Sequence, residues 1–249
     1  MVAHGRILGV LVMSVVSLTA ANAQAQPADD ARWVFDFSIG IDQPINGNVN
    51  SGAIGRLDGQ ATAILPNSYG DVYGTGIQFR FGGGYLLSDL DELRGVFIYQ
   101  SADADLVRLG DIGPSSLYAQ YSDYKSLALD FGYRRYVPLP VEGLRVFGEA
   151  TIGLAFIDSI NANLAAPQAN VLLNATDYYD STAAFTMSVS AGVVFPIAEK
   201  IDVTGQIGLR RTSGLSEVDQ FIGTGLDDIN NDTARLTFPF VVGVRFRFP

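Results

Sequence analysis

The chain has 249 residues, 48% of them hydrophobic, with 27 glycines, no cysteine and a formal net charge of −10. Such an acidic chain is badly suited to neutralising nucleic-acid phosphates. Its single histidine, His4, lies in a leader that export removes. The mature chain then has no disulfide, no usual zinc or copper ligand set and no histidine-dependent triad.

The leader comes first in chain order. His4 and Arg6 precede an apolar run from Ile7 to Leu18, and both Ala21-Asn22-Ala23 and Ala23-Gln24-Ala25 suit signal peptidase. Residues 1–25 are therefore expected to be an export signal, cleaved after Ala23 or Ala25. The run is short for a retained span, which needs about 20 residues. A short segment, 26–31, leads into one domain over 32–249.

Alternation of apolar and polar residues marks strands, one face greasy and the other not. The first segment, about Arg32 to Ile41, sets Trp33, Phe35, Phe37, Ile39 and Ile41 against Asp36, Ser38 and Gly40. The second, about Val72 to Leu87, sets Tyr73, Ile77, Phe79, Phe81 and Tyr85 against Gln78, Arg80, Gly82 and Gly84. The third, Leu93 to Ala102, is the least regular, because Val96 and Ile98 oppose Leu93, Phe97 and Tyr99. Further segments run from about Tyr124 to Val137, Gly143 to Ile157, Thr182 to Phe195 and Ile201 to Thr212. The last, Leu236 to Phe248, alternates throughout, though Pro239 lacks an N–H for the ladder and predicts a bulge or strand end.

Tight turns at Ser88–Glu92, Pro138–Glu142 and Pro196–Lys200 alternate with long loops rich in Gly, Asn and Asp. The loops cover about 42–71, 103–123, 158–181 and 213–232. At each short turn the polar faces of both strands meet on one side, as a common barrel interior requires. Eight segments of about ten residues, with short turns on one rim and long loops on the other, predict an all-β, eight-stranded antiparallel transmembrane up-and-down β-barrel. An even strand count returns both termini to the periplasmic side.

A secreted soluble binding barrel also alternates, with its apolar face inward. A solvated outer face would be rich in Lys, Glu, Gln and Asp. Here the polar face is mostly Gly, Ser, Thr and Ala, which suits a narrow lumen, and the apolar face is nearly free of charge, which suits lipid. Arg135 and Arg211 interrupt it near segment ends, where long side chains reach the interface.

The eight-segment pattern, the run Phe131-Gly132-Tyr133-Arg134-Arg135-Tyr136-Val137 before a short turn, and the terminal strand resemble the small outer-membrane β-barrels of the OmpA type in Gram-negative bacteria. The resemblance covers about Arg32 to Phe248 and implies a bacterial outer-membrane location, with outer-membrane lipid and lipopolysaccharide as surroundings. It also implies that the barrel-assembly machinery reads Phe240, Val242, Val244, Phe246 and Phe248; Pro249 departs from the pattern, since the aromatic is usually last. A barrel domain alone is expected, without a peptidoglycan-binding domain. Enzymes built on such barrels depend on a catalytic histidine, so the resemblance implies no enzyme, and no cofactor is expected.

The ionisable residues on the inner face are Arg80, Asp130, Arg134, Arg145, Glu149, Arg210 and Arg245. Around the turn at Pro138, Arg134 and Glu149 fall opposite or one diagonal apart, within reach of a bidentate pair. These charges are expected to satisfy each other and plug the lumen; a gate or polar path for solutes, and an Asp130–Glu149 catalytic pair with no marked substrate, are the other readings. The acidic runs at Asp177–Asp180 and Asp227–Asp232 lack EF-hand spacing, so no metal is expected and a solvated acidic surface is. Tyr69, Tyr73, Tyr118, Tyr121, Tyr124, Tyr178 and Tyr179 are expected at the outer rim as an aromatic girdle, or as a loop surface for an unknown ligand. The expected role is structural or adhesive, and the alternative is a narrow porin-like channel or conduit for small or apolar solutes.

Overall fold

The computed structural model describes residues 32–249 apart from 58, 141–142, 219–221 and 231–232. The expected export signal, its cleavage after Ala23 or Ala25 and the segment 26–31 lie outside the described residues.

Eight strands form a closed antiparallel barrel: β1 (Trp33–Asn46), β2 (Gly76–Leu86), β3 (Asp91–Ala102), β4 (Tyr124–Pro138), β5 (Arg145–Ile157), β6 (Thr182–Ala198), β7 (Ile201–Thr212) and β8 (Arg235–Phe248). Each strand pairs with its sequence neighbour, and β1 with β8, from Trp33–Phe248 to Asn46–Leu236, completes the ring. Closure leaves no free edge in the wall, which is what a membrane-crossing sheet needs.

The parity of every strand puts most of its large apolar residues outside. Phe35, Phe37, Phe81, Phe97, Phe131, Ile152, Phe185 and Phe240 are all exposed, Phe131 to 59%. In the irregular third segment Leu93, Phe97 and Tyr99 point out, while Val96 and Ile98 are buried inside. A greasy outer wall, charged only near strand ends, over a largely polar interior is stable in lipid and aggregates in water. This overturns the soluble-barrel alternative. Arg211 is exposed, and the half-buried Arg135 is held at 2.8 Å by Asp91.

Three expectations need correction. Pro239 makes neither a bulge nor a strand end. It pairs with Asp42 on β1, while on the β7 side the ladder stops after Ile207–Phe240 and resumes at Arg210–Thr237 in the same register. The missing N–H thus deletes pairs without shifting the strand. The start of the second segment is not strand: Tyr69–Tyr73 is a one-turn helix, α1, closed by a capping box between Ser68 and Asp71. The Ser68 bonds hold the Asp71 carboxyl below its ordinary range.

The third correction concerns the long connections, which fold rather than lie as polar loops. They supply a seven-stranded sheet in the order Ser216–Glu217, Val171–Asp180, Ile160–Ala166, Ser115–Tyr121, Leu106–Ile112, Gln60–Ile64, Ala53–Leu57. The reason is a period of two that the surrounding Gly, Asn and Asp hid. Ile160, Ala162, Leu164 and Ala166 are buried on one strand, and Ser115, Leu117, Ala119 and Tyr121 on the next. Together they form a cap over one end of the barrel.

Candidate functional site in the barrel lumen and cap

Inward-facing residues come from alternate positions on all eight strands, so the lumen chemistry is set by strand parity. Near the short turns lies a dense charge network. Arg134 pairs in register with Glu149 and bonds it at 2.7 Å. Glu149 also faces Arg94 at 3.3 Å, and Arg94 forks onto Asp36 at 2.7 and 2.9 Å. Arg245 donates to Glu92 at 2.7 Å and to the Tyr136 hydroxyl, which in turn donates to Glu92. Asp202 sits among Arg247, Arg145 and Arg245 at 3.5, 3.9 and 4.0 Å. The Arg134 guanidinium also lies 3.9 Å above the Phe147 ring.

Midway up, Arg210 forks onto Asp130, which accepts further bonds from Thr186 at 2.8 Å and Thr151 at 3.3 Å. Toward the cap, Arg235 lies 3.1 Å from Asp42 and 4.5 Å above the Tyr124 ring, and Gln100 also donates to Asp42. Arg80 donates to Gln78 at 3.0 Å. All seven inner-face charges read from the sequence are therefore in the lumen, Arg145 at its half-buried mouth. Asp130 and Glu149 are each held by arginine and do not contact one another through any hydrogen bond.

The network is larger than the sequence reading named. Asp36, Asp42, Glu92, Arg94, Asp202, Arg235 and Tyr136 were missed. The signal for Glu92 and Arg94 was present, because the parity that turns Leu93 and Phe97 outward turns these two inward. Asp42 and Arg235 fell at loop boundaries, where strand length could not be read.

Glycine makes the network fit. A Cβ on Gly82 would lie 2.6 Å from Asp36 Oδ1 and 2.7 Å from Arg94 Nη2, inside the ion pair. The Gly-rich inner face is thus the space that long charged side chains occupy.

At the cap end the interior becomes apolar. Val96, Ile98, Ala128, Ala155 and Ala184 of the lumen join Leu109, Leu117, Leu164, Tyr121 and Tyr178 of the cap in one continuous buried cluster. The tyrosines do not form a girdle. Tyr69, Tyr73, Tyr121, Tyr124, Tyr178 and Tyr179 are buried, and Tyr118 alone of that group is exposed. Their rings pack on each other, Tyr121 on Tyr178 at 5.1 Å and Tyr73 on Tyr124 at 5.9 Å, as the core of the cap. Among the described residues, no three His, Cys, Asp or Glu side chains gather where they could hold a metal ion.

No protein-family model and no curated protein matches the chain. Solved structures do. OprG from Pseudomonas aeruginosa aligns over 88% of this chain and 96% of its own, at 11% identity and a TM-score of 0.51. Neisserial surface protein A aligns over 87% and 96% at 12% identity and 0.44, and Ail of Yersinia pestis over 87% and 99% at 12% identity and 0.38. Likeness at such identity concerns the fold. The match to OprG supports that fold, and the closed ring and greasy wall define the class: a small eight-stranded membrane-spanning β-barrel.

Proposed function

We propose that this protein is a structural and adhesive element of the outer membrane: a plugged barrel that anchors a rigid β-cap at the cell surface. The observation that carries the reading is the continuous apolar cluster from Ala155 and Ala184 up to Leu117 and Leu164, which stoppers the cap end. A solute would have to part that packed core to cross the barrel. The short turns and both termini then face the periplasm and the cap faces outward. No catalytic role is assigned to Asp130 or Glu149, because arginine and threonine donors hold both.

In this reading lipid and lipopolysaccharide contact the wall, and a surface ligand meets the cap. Phe240, Val242, Val244, Phe246 and Phe248 line the outward face of β8, a position open to the assembly machinery before insertion. Purified protein in planar bilayers is expected to stay silent, and intact cells should expose cap epitopes. Regular single-channel steps would replace this reading by the narrow conduit, which the half-buried wall at Ser188, Ser190 and Thr204 favours.

A further inference from the structure

Every lumen carboxylate is already held within 4 Å by an arginine. Arg94 holds Asp36, Arg235 holds Asp42, Arg245 holds Glu92, Arg210 holds Asp130, Arg134 holds Glu149 and Arg247 holds Asp202. Arg145 at the mouth lies 3.9 Å from Asp202, which leaves one lumen guanidinium with no carboxylate in contact. Arg80 is only 9% exposed, and among the described residues its one hydrogen bond goes to the neutral Gln78, with no carboxylate in contact. A buried charge without a counter-charge is costly, and an unmatched guanidinium inside a barrel is a seat for an anion.

The surroundings fix the chemistry of that anion. Arg80 lies in the field of Arg210, but also of Glu149, Asp42 and Asp130. A doubly charged phosphate or sulfate would meet those three carboxylates with one cation to offset it. A single negative charge matches a single guanidinium. The facing wall, formed by β6 and β7 across the ring from β2, carries hydroxyl donors: Ser190 accepts from Gln206 at 2.6 Å, which leaves its own proton to give, and Ser188 shares a bond with Thr151 at 2.7 Å. Ser188, Ser190, Thr204 and Gln206 are half-buried, so this side of the lumen is not filled by side chains. At its turn end stands Arg145, with 27% of its side chain exposed, a positive entrance.

We propose that the lumen holds a specific site for a small monovalent anion, of the chloride class, on Arg80, entered from the turn end and closed at the other by the cap core. The site stands whether or not the barrel conducts, so it does not rest on the structural reading.

The test uses the purified full barrel in detergent. Thermal unfolding is followed in sodium chloride and in sodium gluconate of equal ionic strength, and chloride binding is followed by the excess ³⁵Cl NMR linewidth. Wild-type protein should unfold at higher temperature in chloride and broaden the ³⁵Cl line. Arg80→Gln should lose both effects, Arg80→Lys should retain them in weaker form, and Arg211→Leu, which removes a charge from the outer wall, should retain them in full. Folding of each variant is checked by its heat-modifiable mobility on gels. If Arg80→Gln does not fold, Arg80→Lys and wild type decide. Equal unfolding in the two salts with no excess linewidth in wild type overturns the proposal. So does a chloride effect that survives in Arg80→Gln or is lost equally in Arg211→Leu.

Discussion

Arg245 and Glu92 meet across the lumen at 2.7 Å, although they lie 153 residues apart, on the last strand and the third. Neither is exposed. The Tyr136 hydroxyl bridges them from β4, so one contact ties three strands of the wall together.

Removing one partner leaves the other buried and unpaired. Glu92→Gln is expected to destabilise the barrel by about 3–5 kcal/mol, and Glu92→Leu combined with Arg245→Met by clearly less. Urea unfolding in detergent, with the heat-modifiable band as readout, measures both. A double variant as unstable as the single one would show that packing, and not the stranded charge, sets the cost.

Gly82 tests whether the lumen has room to spare. Gly82→Val puts methyl groups into the Asp36–Arg94 pair, since even the first added carbon lies 2.6 Å from Asp36 Oδ1. The variant is expected to assemble poorly or to unfold at much lower urea. Gly148, where an added Cβ meets nothing within 4 Å, is the control, and Gly148→Ala should behave as wild type.

The outer wall should reject charge in a depth-dependent way. Val242, exposed in the middle of β8, is expected to lose about 2–4 kcal/mol on change to Arg. Arg211 already stands exposed near the cap end of β7, and Arg211→Leu should be nearly neutral. Unfolding in lipid vesicles compares the two.

The cap should come apart without the barrel. Leu117→Ala removes a fully buried side chain from the cap core, at a cost of about 2–5 kcal/mol. Limited proteolysis is expected to cut between residues 103 and 123 in this variant and not in wild type, while the barrel band persists.

Alkali should open the same core. Burial, aided by neighbouring phenols, pushes Tyr69, Tyr121, Tyr178 and Tyr179 up from the ordinary value of 10.0. Because the folded state favours the neutral phenol, its contribution is complete below about pH 10 and is lost as pH climbs above the unfolded value. Absorbance at 295 nm is expected to show the buried set ionising abruptly, together with loss of cap protease resistance. Gradual ionisation of all tyrosines together would count against a packed cap.

Much of this protein was legible in one dimension. The period of two at Phe238, Phe240, Val242, Val244 and Phe246 settles which face of a strand meets lipid, because side-chain direction follows from backbone geometry alone. Equal parity at three short turns settles that the polar faces share one interior, and eight segments settle the size of the ring. Tertiary structure decided what lies farther apart. Glu92 finds Arg245, and Arg94 finds Asp36, only when closure brings opposite strands within a side chain's length. The cap was hidden for the same reason. Leu117, Leu164 and Leu226 come from different connections, and none can bury itself until the barrel holds their ends together. Local alternation is a property of a strand, whereas burial and charge balance belong to the closed ring.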